Sequence, residues 1–305
     1  MCKGKDFRQQ TGTERLYLPL TALMRIIKKA VVLQHYLQRQ KDLGKKIGFV
    51  PTMGALHQGH TSLIVEIQQH CDISVCSIFI NPTQFNDPAD YNKYPVTIAK
   101  DVHKLEDANA DILFLPGVDE VYKDGTENLE QYDLGYLETV LEGKYRPGHF
   151  QGVCQVMTRL LDCVGPDVLA MGQKDYQQCM VVRKLLKGLP YHINFITAET
   201  KRENSGLAMS SRNMRLSEQD RIKASEIYKM LLYIKDSLRP GKLDQLQEAA
   251  KQRLTSKGFR VDYIQIADST ELQPVEYWDG KQGLVALAAV FLGDVRLIDN
   301  MLLHS

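Results

Sequence analysis

The region from residue 45 to about residue 198 alternates short β-rich runs with longer segments of helical spacing. Strand candidates are residues 47–50, 73–80, 111–115, 167–172 and 192–196. Helix candidates fall between them, at residues 60–70, 95–108, 151–163 and 175–187. Strands that alternate with helices indicate βαβ units, in which the strands are parallel and helices cover both faces of the sheet. The alternation therefore predicts an α/β domain with a Rossmann-like parallel sheet.

The sequence changes character after about residue 198. A long helical stretch is predicted over residues 217–238, with Ser217 as its N-cap, and a second helix follows the break at 238–243. The end of the chain has the pattern of a few strands. We therefore expect an N-terminal extension (1–21), a larger Rossmann-like domain (22–197) and a smaller C-terminal α+β lid domain (198–305).

Composition narrows the class of protein. The formal net charge of the 305 residues is +1, which gives no bulk electrostatic reason to expect nucleic acid or an anionic membrane as a partner. The longest apolar run, residues 284–292, is about half the length needed to cross a bilayer and is typical of a buried strand. The six cysteines show no CxxC pair, and the N-terminus lacks the apolar segment of a secretory signal, so we expect a cytoplasmic protein.

Unusual polar sequences directly follow three of the predicted strands. These are "PTMGALHQGH" (51–60), "NPTQFN" (81–86) and "GQKDYQQ" (172–178). Ligands of parallel sheets bind beyond the carboxyl ends of the strands. We therefore expect the three sequences to converge on one cleft.

Two histidines mark the first of these turns. If the helix begins near His57 or Gln58, His57 and His60 lie in its first turn, where free backbone N–H groups and the helix dipole attract phosphate. Gly54 and Gly59 allow a bulky anion to approach closely. The structural alternative is a pair of histidines that cap or pack at a turn. A lone histidine favours that alternative, whereas His-x-Gly-His after a glycine-containing strand exit favours a phosphate site.

Other candidates follow the later strands. Ser210, Ser211 and Arg212 offer two hydroxyls and a guanidinium suited to phosphate oxygens, although Ser-Ser-Arg also occurs in ordinary loops. At the turn after Gly172, Lys174 can reach a phosphate, and Asp175 can hold a ribose hydroxyl or cap the helix. A solvated turn is the alternative there.

Two glutamines are further candidates for substrate binding. Gln84 and Gln178 suit a small polar substrate with hydroxyl and carboxylate groups, although a single glutamine at such a place usually belongs to the surface. No Walker A loop, HExxH or GxSxG sequence occurs in a suitable context. Cys76 and Cys154 have the pattern of core residues, and a structural role is favoured for His149.

The His-x-Gly-His turn and the later Ser/Lys-rich loop resemble those of the nucleotidyltransferase superfamily that includes class I aminoacyl-tRNA synthetases. Six longer sequences occur in the order of one of its families: "PTMGALHQGHTSLI", "SIFINPTQFN", "YRPGHFQGV", "GQKDYQQ", "GLAMSSRN" and "ALAAVFLGDVRLIDN". Together they resemble the pantothenate synthetase (pantoate–β-alanine ligase) family over residues 22 to 303. The resemblance implies that pantoate attacks the α-phosphate of ATP, giving pantoyl adenylate and pyrophosphate, and that β-alanine then displaces AMP.

The resemblance also implies roles for individual residues. His60 would be the proton donor, with His57 as its partner and Lys174 as the third catalytic residue. Pantoate would bind to Gln84 and Gln178, and β-alanine would also contact Gln84. The ATP site would comprise Met53, Gly54, Ala55, Leu56, His57, Gln58, Gly59, His60, Gly172, Gln173, Lys174, Asp175, Lys201, Met209, Ser210, Ser211 and Arg212. Mg²⁺ would accompany ATP on ligands that the sequence leaves unknown, and the protein would form a homodimer.

Three positions depart from the family pattern. Gln173 and Gln151 stand where the family usually has acidic residues, and Lys201 stands where a small apolar residue is common. Contacts made through the main chain would survive these changes, so we expect an active enzyme. The alternatives are another adenylyl- or cytidylyltransferase of this fold and a non-catalytic nucleotide-binding protein. A tRNA synthetase is disfavoured because no anticodon-binding appendage is evident.

Overall fold

A computed structural model describes residues 23–85, 91–190 and 192–304. The predicted extension at residues 1–21 lies outside them. The larger domain is built on a parallel sheet of six strands in the order β1-β4-β3-β2-β5-β6. Their bounds are β1 Arg25–Ile27, β2 Ile47–Thr52, β3 Ile73–Ile78, β4 Ile112–Phe114, β5 Val168–Gly172 and β6 Asn194–Ala198. The predicted Rossmann-like sheet is confirmed, and β1 is an edge strand that the sequence analysis missed.

Helices cover both faces of this sheet. They are α1 Ala30–Asp42, α2 Gln58–Ile67, α3 Ile98–Asp107, α4 Val118–Val121, α5 Leu141–Tyr145, α6 His149–Val164 and α7 Tyr176–Lys187. Neighbouring strand residues point to opposite faces. Phe49 packs with α1 and α6, whereas the adjacent Val50 packs with α2 and α3. The sheet is therefore buried on both sides.

The strand order places a crevice beside β2. From β2 the chain continues to β3 and β4 on one side, whereas β5 and β6 lie on the other side. Such a reversal leaves an opening beyond the carboxyl ends of the two strands between which it occurs. These strands are β2 and β5, which precede the predicted histidine turn and the predicted Lys174 turn.

In the described part of the smaller domain there are three α-helices and a three-stranded antiparallel sheet. The helices are α8 Glu218–Ala224, α9 Glu226–Ser237 and α10 Asp244–Thr255. The sheet comprises β8 Arg260–Asp268, β10 Leu284–Leu292 and β11 Val295–His304, while β7 Gly241–Lys242 pairs with β9 Tyr277–Trp278. The apolar run 284–292 forms β10, which confirms its assignment as a buried strand. In the described residues, no helix is long and apolar enough to span a membrane.

The helical stretch predicted over residues 217–238 is confirmed, but it consists of two helices that meet at Ser225. Ser225 ends α8, and both its N–H and its Oγ donate to the carbonyl of Ile222, at 3.2 and 2.7 Å. A serine hydroxyl that bonds to a carbonyl three residues earlier competes with helix continuation. The predicted N-cap is confirmed, because Ser217 Oγ accepts from the N–H of Asp220 at 3.1 Å.

The two faces of β10 separate the core of the smaller domain from its contact with the larger one. Ala286 and Ala288 pack into the core beneath α8–α10, whereas Val285 and Leu287 pack in a cluster with Tyr176 of α7. Alternation of this kind follows from the two-residue period of a strand. The smaller domain therefore rests on the larger domain beside the end of β5.

Candidate active site

A cleft with a cavity volume of about 210 Å³ lies beyond the carboxyl ends of β2 and β5. Both domains line it. Fourteen of the predicted site residues are among its lining: Met53, His57, Gly59, His60, Gln84, Gly172, Lys174, Asp175, Gln178, Lys201, Met209, Ser210, Ser211 and Arg212. The strand-exit sequences and the Ser-Ser-Arg loop therefore meet in one place, as their positions in the sequence suggested.

The remaining predicted residues support this cleft or lie beside it. Gly54, Ala55 and Leu56 form the buried turn between β2 and α2. Gln58 is exposed and lines an outer groove with Lys201. The Gln173 side chain bonds to Asn300 of the smaller domain at 3.2 Å.

Helix α3 holds the turn that leads to His57. Gly54 and Ala55 both have positive φ, at 83° and 48°, a conformation that favours glycine. The fully buried carboxylate of Asp101 accepts from the N–H groups of Ala55 and Leu56 at 2.9 and 2.8 Å. Lys104, one turn later, donates to the carbonyl of Leu56. A charged pair on one face of α3 thus fixes a backbone conformation that would otherwise be strained.

His57 and His60 form a reciprocal cap at the start of α2. His57 Nδ1 accepts from the N–H of Gly59 at 3.1 Å, and His60 Nδ1 accepts from the N–H of His57 at 3.2 Å. Because each Nδ1 is an acceptor, each neutral ring carries its proton on Nε2. The structural and functional interpretations of the pair are thus compatible: Nδ1 caps the helix, and Nε2–H remains as a donor.

Both histidines are held in the neutral form. Burial and the nearby charges of Lys174 and Lys104 lower the pKa of His57 to about 4. Burial, His57 and Lys174 lower the pKa of His60 well below its usual value. The two imidazoles therefore serve as neutral hydrogen-bond donors at physiological pH, beside the positive end of α2.

Lys174 stands across the crevice, on a single 3₁₀ turn, Gln173–Asp175, at the end of β5. Its ammonium lies 3.5 Å from Asp175 Oδ1, and its side chain is 16% exposed. Burial opposes ionisation of Asp175, but Lys174, Arg212 and Arg146 outweigh it and lower the pKa of that carboxyl group. A strongly cationic wall, moderated by one carboxylate, faces the histidine turn. Such an arrangement suits a polyphosphate.

The profile of the family described as pantoate-β-alanine ligase matches residues 25–302 of the chain. The chain belongs to the pantoate–β-alanine ligase family. Pantothenate synthetase from Thermus thermophilus has a similar structure, with a TM-score of 0.85, 36% identity, and coverage of 92% of this chain and 100% of that one. Pantoate-β-alanine ligase from Francisella tularensis, complexed with β-γ ATP and β-alanine, gives a TM-score of 0.75, 36% identity, and coverage of 92% and 97%. The family predicted from the six sequences is confirmed, and the protein is an AMP-forming ligase.

The structure explains how this ligase accommodates Gln151. The Gln151 side chain bonds to both the N–H and the carbonyl of Tyr132, at 2.9 and 3.0 Å. Its amide also donates to both carboxylate oxygens of Glu138 at 2.9 Å. An acidic residue at position 151 would face the charge of Glu138, so the amide is the better partner here. Gln151 lines a shallow surface cavity outside the cleft.

The other two departures lie at or beside the cleft. Gln173 turns its side chain towards Asn300 rather than into the cleft lining. Lys201 is exposed and lines the cleft, and its carbonyl accepts from the N–H of Met209 at 3.0 Å. That backbone contact holds Met209 in place and does not depend on the side chain at position 201.

Several cleft residues were missed by the sequence analysis. Asn81 is buried, and its Nδ2 donates to Gln84 Oε1 at 3.2 Å and to the carbonyl of Gly152 at 3.0 Å. Arg146, Glu199 and Thr200 also line the cleft. Asn81 and Arg146 lie in two of the six sequences that carry the family resemblance, so the resemblance could have identified them. Glu199 and Thr200 lie in none of these sequences.

His149 both lines the cleft and has the expected structural role. Because Arg146 can only donate, His149 Nε2 accepts from it at 3.0 Å, and His149 Nδ1–H donates to the carbonyl of Gln84 at 2.8 Å. Burial and the charge of Arg146 lower the pKa of His149 to about 3. The neutral ring thus links the guanidinium to the backbone that carries Gln84.

Close packing sets the position of that backbone. A Cβ added to Gly152 of α6 would lie 2.3 Å from the carbonyl oxygen of Thr83. Only glycine therefore allows α6 to approach the 3₁₀ turn Pro82–Gln84 this closely.

The two neighbouring glutamines at the start of α7 have different surroundings. Gln177 is buried and donates to the carbonyls of Leu137 and Val140, whereas Gln178 lines the cleft.

Proposed function

We propose that this chain catalyses the ATP-dependent condensation of (R)-pantoate with β-alanine, through pantoyl adenylate, with release of pyrophosphate and AMP. The observation that carries the proposal is the pair of neutral Nε2–H donors of His57 and His60, which line one cleft with Lys174 and Gln84. The Francisella relative was crystallised with β-γ ATP and β-alanine, which supports ATP and β-alanine as substrates here.

ATP binds between the two turns that flank the crevice. The phosphates lie against the N-terminus of α2 and against Lys174, and Ser210, Ser211 and Arg212 close on them from the smaller domain. The seventeen residues assigned to ATP in the sequence analysis divide accordingly. Those of the cleft lining touch the nucleotide, Gly54, Ala55, Leu56 and Gln173 shape the two turns, and Gln58 lies on the outer groove beside the cleft.

Pantoate binds at the end of the cleft formed by β3 and α6. Gln84, Gln178 and Asn81 offer neutral donors and acceptors for its hydroxyl and carboxylate groups. Val153 and Met157 of α6 line the same cavity and provide apolar surface for its methyl groups. β-Alanine enters beside Gln84.

Adenylation is an in-line displacement that the protein catalyses by positioning and charge stabilisation. A pantoate carboxylate oxygen attacks the α-phosphorus, and the bond to the pyrophosphate oxygen breaks. His60 Nε2–H, with His57, donates to the phosphoryl oxygens as negative charge grows, and Lys174 stabilises the phosphate charge. The neutral amine of β-alanine then attacks the acyl carbon, the bond to the AMP oxygen breaks, and the nitrogen releases its proton to water.

Mg²⁺ is proposed to arrive with ATP. The described residues contain no cluster of three or more metal-ligating side chains. Asp175 and Glu199 supply carboxylates to the cleft, and Mg²⁺ in nucleotide sites is commonly held by one or two carboxylates together with substrate phosphates. These residues fit that pattern, and the ion would neutralise phosphate charge.

Three further expectations belong to the same proposal. The larger domain (22–197) binds nucleotide and pantoate, the smaller domain (198–305) acts as a lid, and the enzyme works as a cytoplasmic homodimer. Light scattering coupled to size exclusion would measure the oligomeric state, and a mass of one chain would contradict the dimer.

The deciding experiment measures exchange of radiolabelled pyrophosphate into ATP with Mg²⁺ and pantoate present and β-alanine absent. Exchange that requires pantoate is expected, because adenylation is then reversible and the intermediate has no acceptor. Addition of β-alanine should stop exchange and yield AMP. Exchange supported by another acid but not by pantoate would indicate a different adenylating enzyme. ATP binding without exchange with any acid would indicate a non-catalytic nucleotide-binding protein.

A further inference from the structure

Strand β11 presents one row of side chains to the larger domain. Arg296 and Asn300 belong to this row, because residues two or four apart on a strand share a face. Arg296 makes two hydrogen bonds to the buried carboxylate of Glu142 in α5, at 2.7 and 2.8 Å. Asn300, which is 2% exposed, contacts the turn that carries Lys174.

The Asn300 carboxamide is fully engaged by that turn. Its Nδ2 donates to the carbonyls of Gln173 and Lys174 at 2.9 and 2.8 Å. Its Oδ1 accepts from Gln173 Nε2 at 3.2 Å. The residue before the turn, Gly172, has no side chain with which to cap it. A side chain from the other domain therefore supplies hydrogen bonds directly to the backbone of Lys174.

The neighbouring residue anchors Asn300 from the opposite face of β11. Asp299 forms two bonds with Arg202, at 2.6 and 3.0 Å, and its Oδ1 also accepts from the N–H of Asn300 at 2.8 Å. Arg202 lies over the ring of Tyr228 at 4.2 Å and donates to the carbonyl of Asn300. The Asn300 main chain is thus held by a buried ion pair before its side chain reaches the larger domain.

We propose that Asn300 is a positioning residue, through which the docked smaller domain sets the backbone of the Gln173–Lys174 turn and thereby places the Lys174 ammonium for ATP. This inference rests on the proposed function, in which Lys174 binds phosphate. Docking itself does not depend on Asn300 alone. The Glu142–Arg296 pair, the bond from Tyr263 to Glu142 and the bond from Tyr176 to the carbonyl of Ser269 also join the domains.

The test is a double-mutant cycle on ATP affinity, measured by titration calorimetry with ATP and Mg²⁺ and without pantoate. Asn300→Ala should raise the Kd for ATP about tenfold, the scale of losing one good charge-assisted contact. In a Lys174→Ala background the same substitution should change the Kd less than about twofold, because Asn300 acts through Lys174. Equal changes in both backgrounds, or no change in the wild-type background, would overturn the proposal.

A matched control separates positioning from general destabilisation. Gln265 lies in the same cross-strand row, since Leu287 of β10 pairs with Asn300 on one side and with Gln265 on the other. Its carboxamide donates to Gln247 and to the carbonyl of Ile266, within the smaller domain. Gln265→Ala should lower the urea midpoint while leaving the Kd for ATP within about twofold of wild type. A Gln265→Ala Kd that rose as much as that of Asn300→Ala would indicate a purely structural effect.

A second variant covers the case in which Asn300→Ala does not fold, and a separate assay tests the proposed function. If Asn300→Ala does not fold, Asn300→Ser keeps a polar group in the buried position but cannot span both carbonyls, and it should show the same dependence on Lys174. The proposed function is tested separately, because it fails if the wild-type protein lacks pantoate-dependent exchange. The positioning role fails if wild type exchanges and binds ATP but the cycle is additive.

Discussion

Replacement of Asp101 should damage the fold and the site together, because this carboxylate holds the turn before His57. It accepts from two buried backbone N–H groups at 2.9 and 2.8 Å and from Thr97 Oγ1 at 3.1 Å. A buried donor without a partner costs about 1–3 kcal/mol. Asp101→Ala leaves two such donors, so we expect the free energy of unfolding to fall by about 2–6 kcal/mol. That is a large share of the roughly 5–15 kcal/mol that stabilises a typical domain.

Asp101→Asn is the sharper variant, because it keeps the shape and removes the charge. One oxygen still accepts, but Nδ2 must now face a backbone N–H, so a loss of about 1–3 kcal/mol is expected. The displaced turn should also reduce pantoate-dependent exchange about tenfold or more, because His57 follows it directly.

The assay pairs urea unfolding with pyrophosphate exchange measured well below the unfolding midpoint. Asp111→Ala is the control, since Asp111 accepts from the N–H and hydroxyl of Ser74 at 2.8 and 2.7 Å, at the opposite end of the strands. The control should lose stability but keep its exchange rate. An Asp101→Asn protein of wild-type stability, or one that is destabilised but exchanges normally, would refute the reasoning.

The remaining predictions concern the two ends of the cleft and its protonation state. His60→Ala should cut turnover by about 10² or more while the circular dichroism spectrum is retained, because a donor to the transition state is lost; near-normal turnover would remove His60 from the mechanism. Gln84→Ala should raise the KM for pantoate and leave the Kd for ATP nearly unchanged, and the reverse pattern would contradict our division of the cleft. The folded-state pKa of His57, about 4, lies below its usual 6.5, so the unfolded state binds the extra proton between these values. Its contribution to stability is therefore complete above pH 6.5 and is lost as the pH falls towards 4. NMR titration should give a midpoint near 4 for this ring, and His57→Asn, which keeps a good N-cap, should flatten that part of the stability profile; a midpoint near 6.5 would contradict this account.

Most of the sheet could be predicted because its strands are long apolar runs bounded by turn residues. The edge strand β1 could not, since Arg25–Ile27 is only three residues long and largely exposed. Helix α1 was also missed, although Ala30, Leu33 and Leu37 are buried at helical spacing. The split between α8 and α9 could not be predicted, because the Ser225 hydroxyl ends α8 through a bond to the carbonyl of Ile222, which periodicity does not reveal.

The cleft residues that could be predicted are those that follow strands in the sequence. His57, Lys174 and Gln84 directly follow β2, β5 and β3, so the parallel sheet itself brings them together. Asp101 could not be found in this way, because it lies in the middle of α3 and its partners are backbone groups 45 and 46 positions earlier. Contacts between a side chain and a distant backbone leave no pattern in a single sequence.

Contacts between side chains and distant backbone groups also organise the site. Each of the two turns that flank the crevice is held by a polar side chain from a distant element: Asp101 of α3 binds the backbone before His57, and Asn300 of β11 binds the backbone of Lys174. The first of these belongs to the larger domain and the second to the smaller one. The histidine side of the cleft should therefore be formed in the larger domain alone, whereas the lysine side depends on docking of the smaller domain. Domain docking and ATP binding should consequently favour each other, because each stabilises the same placement of Lys174.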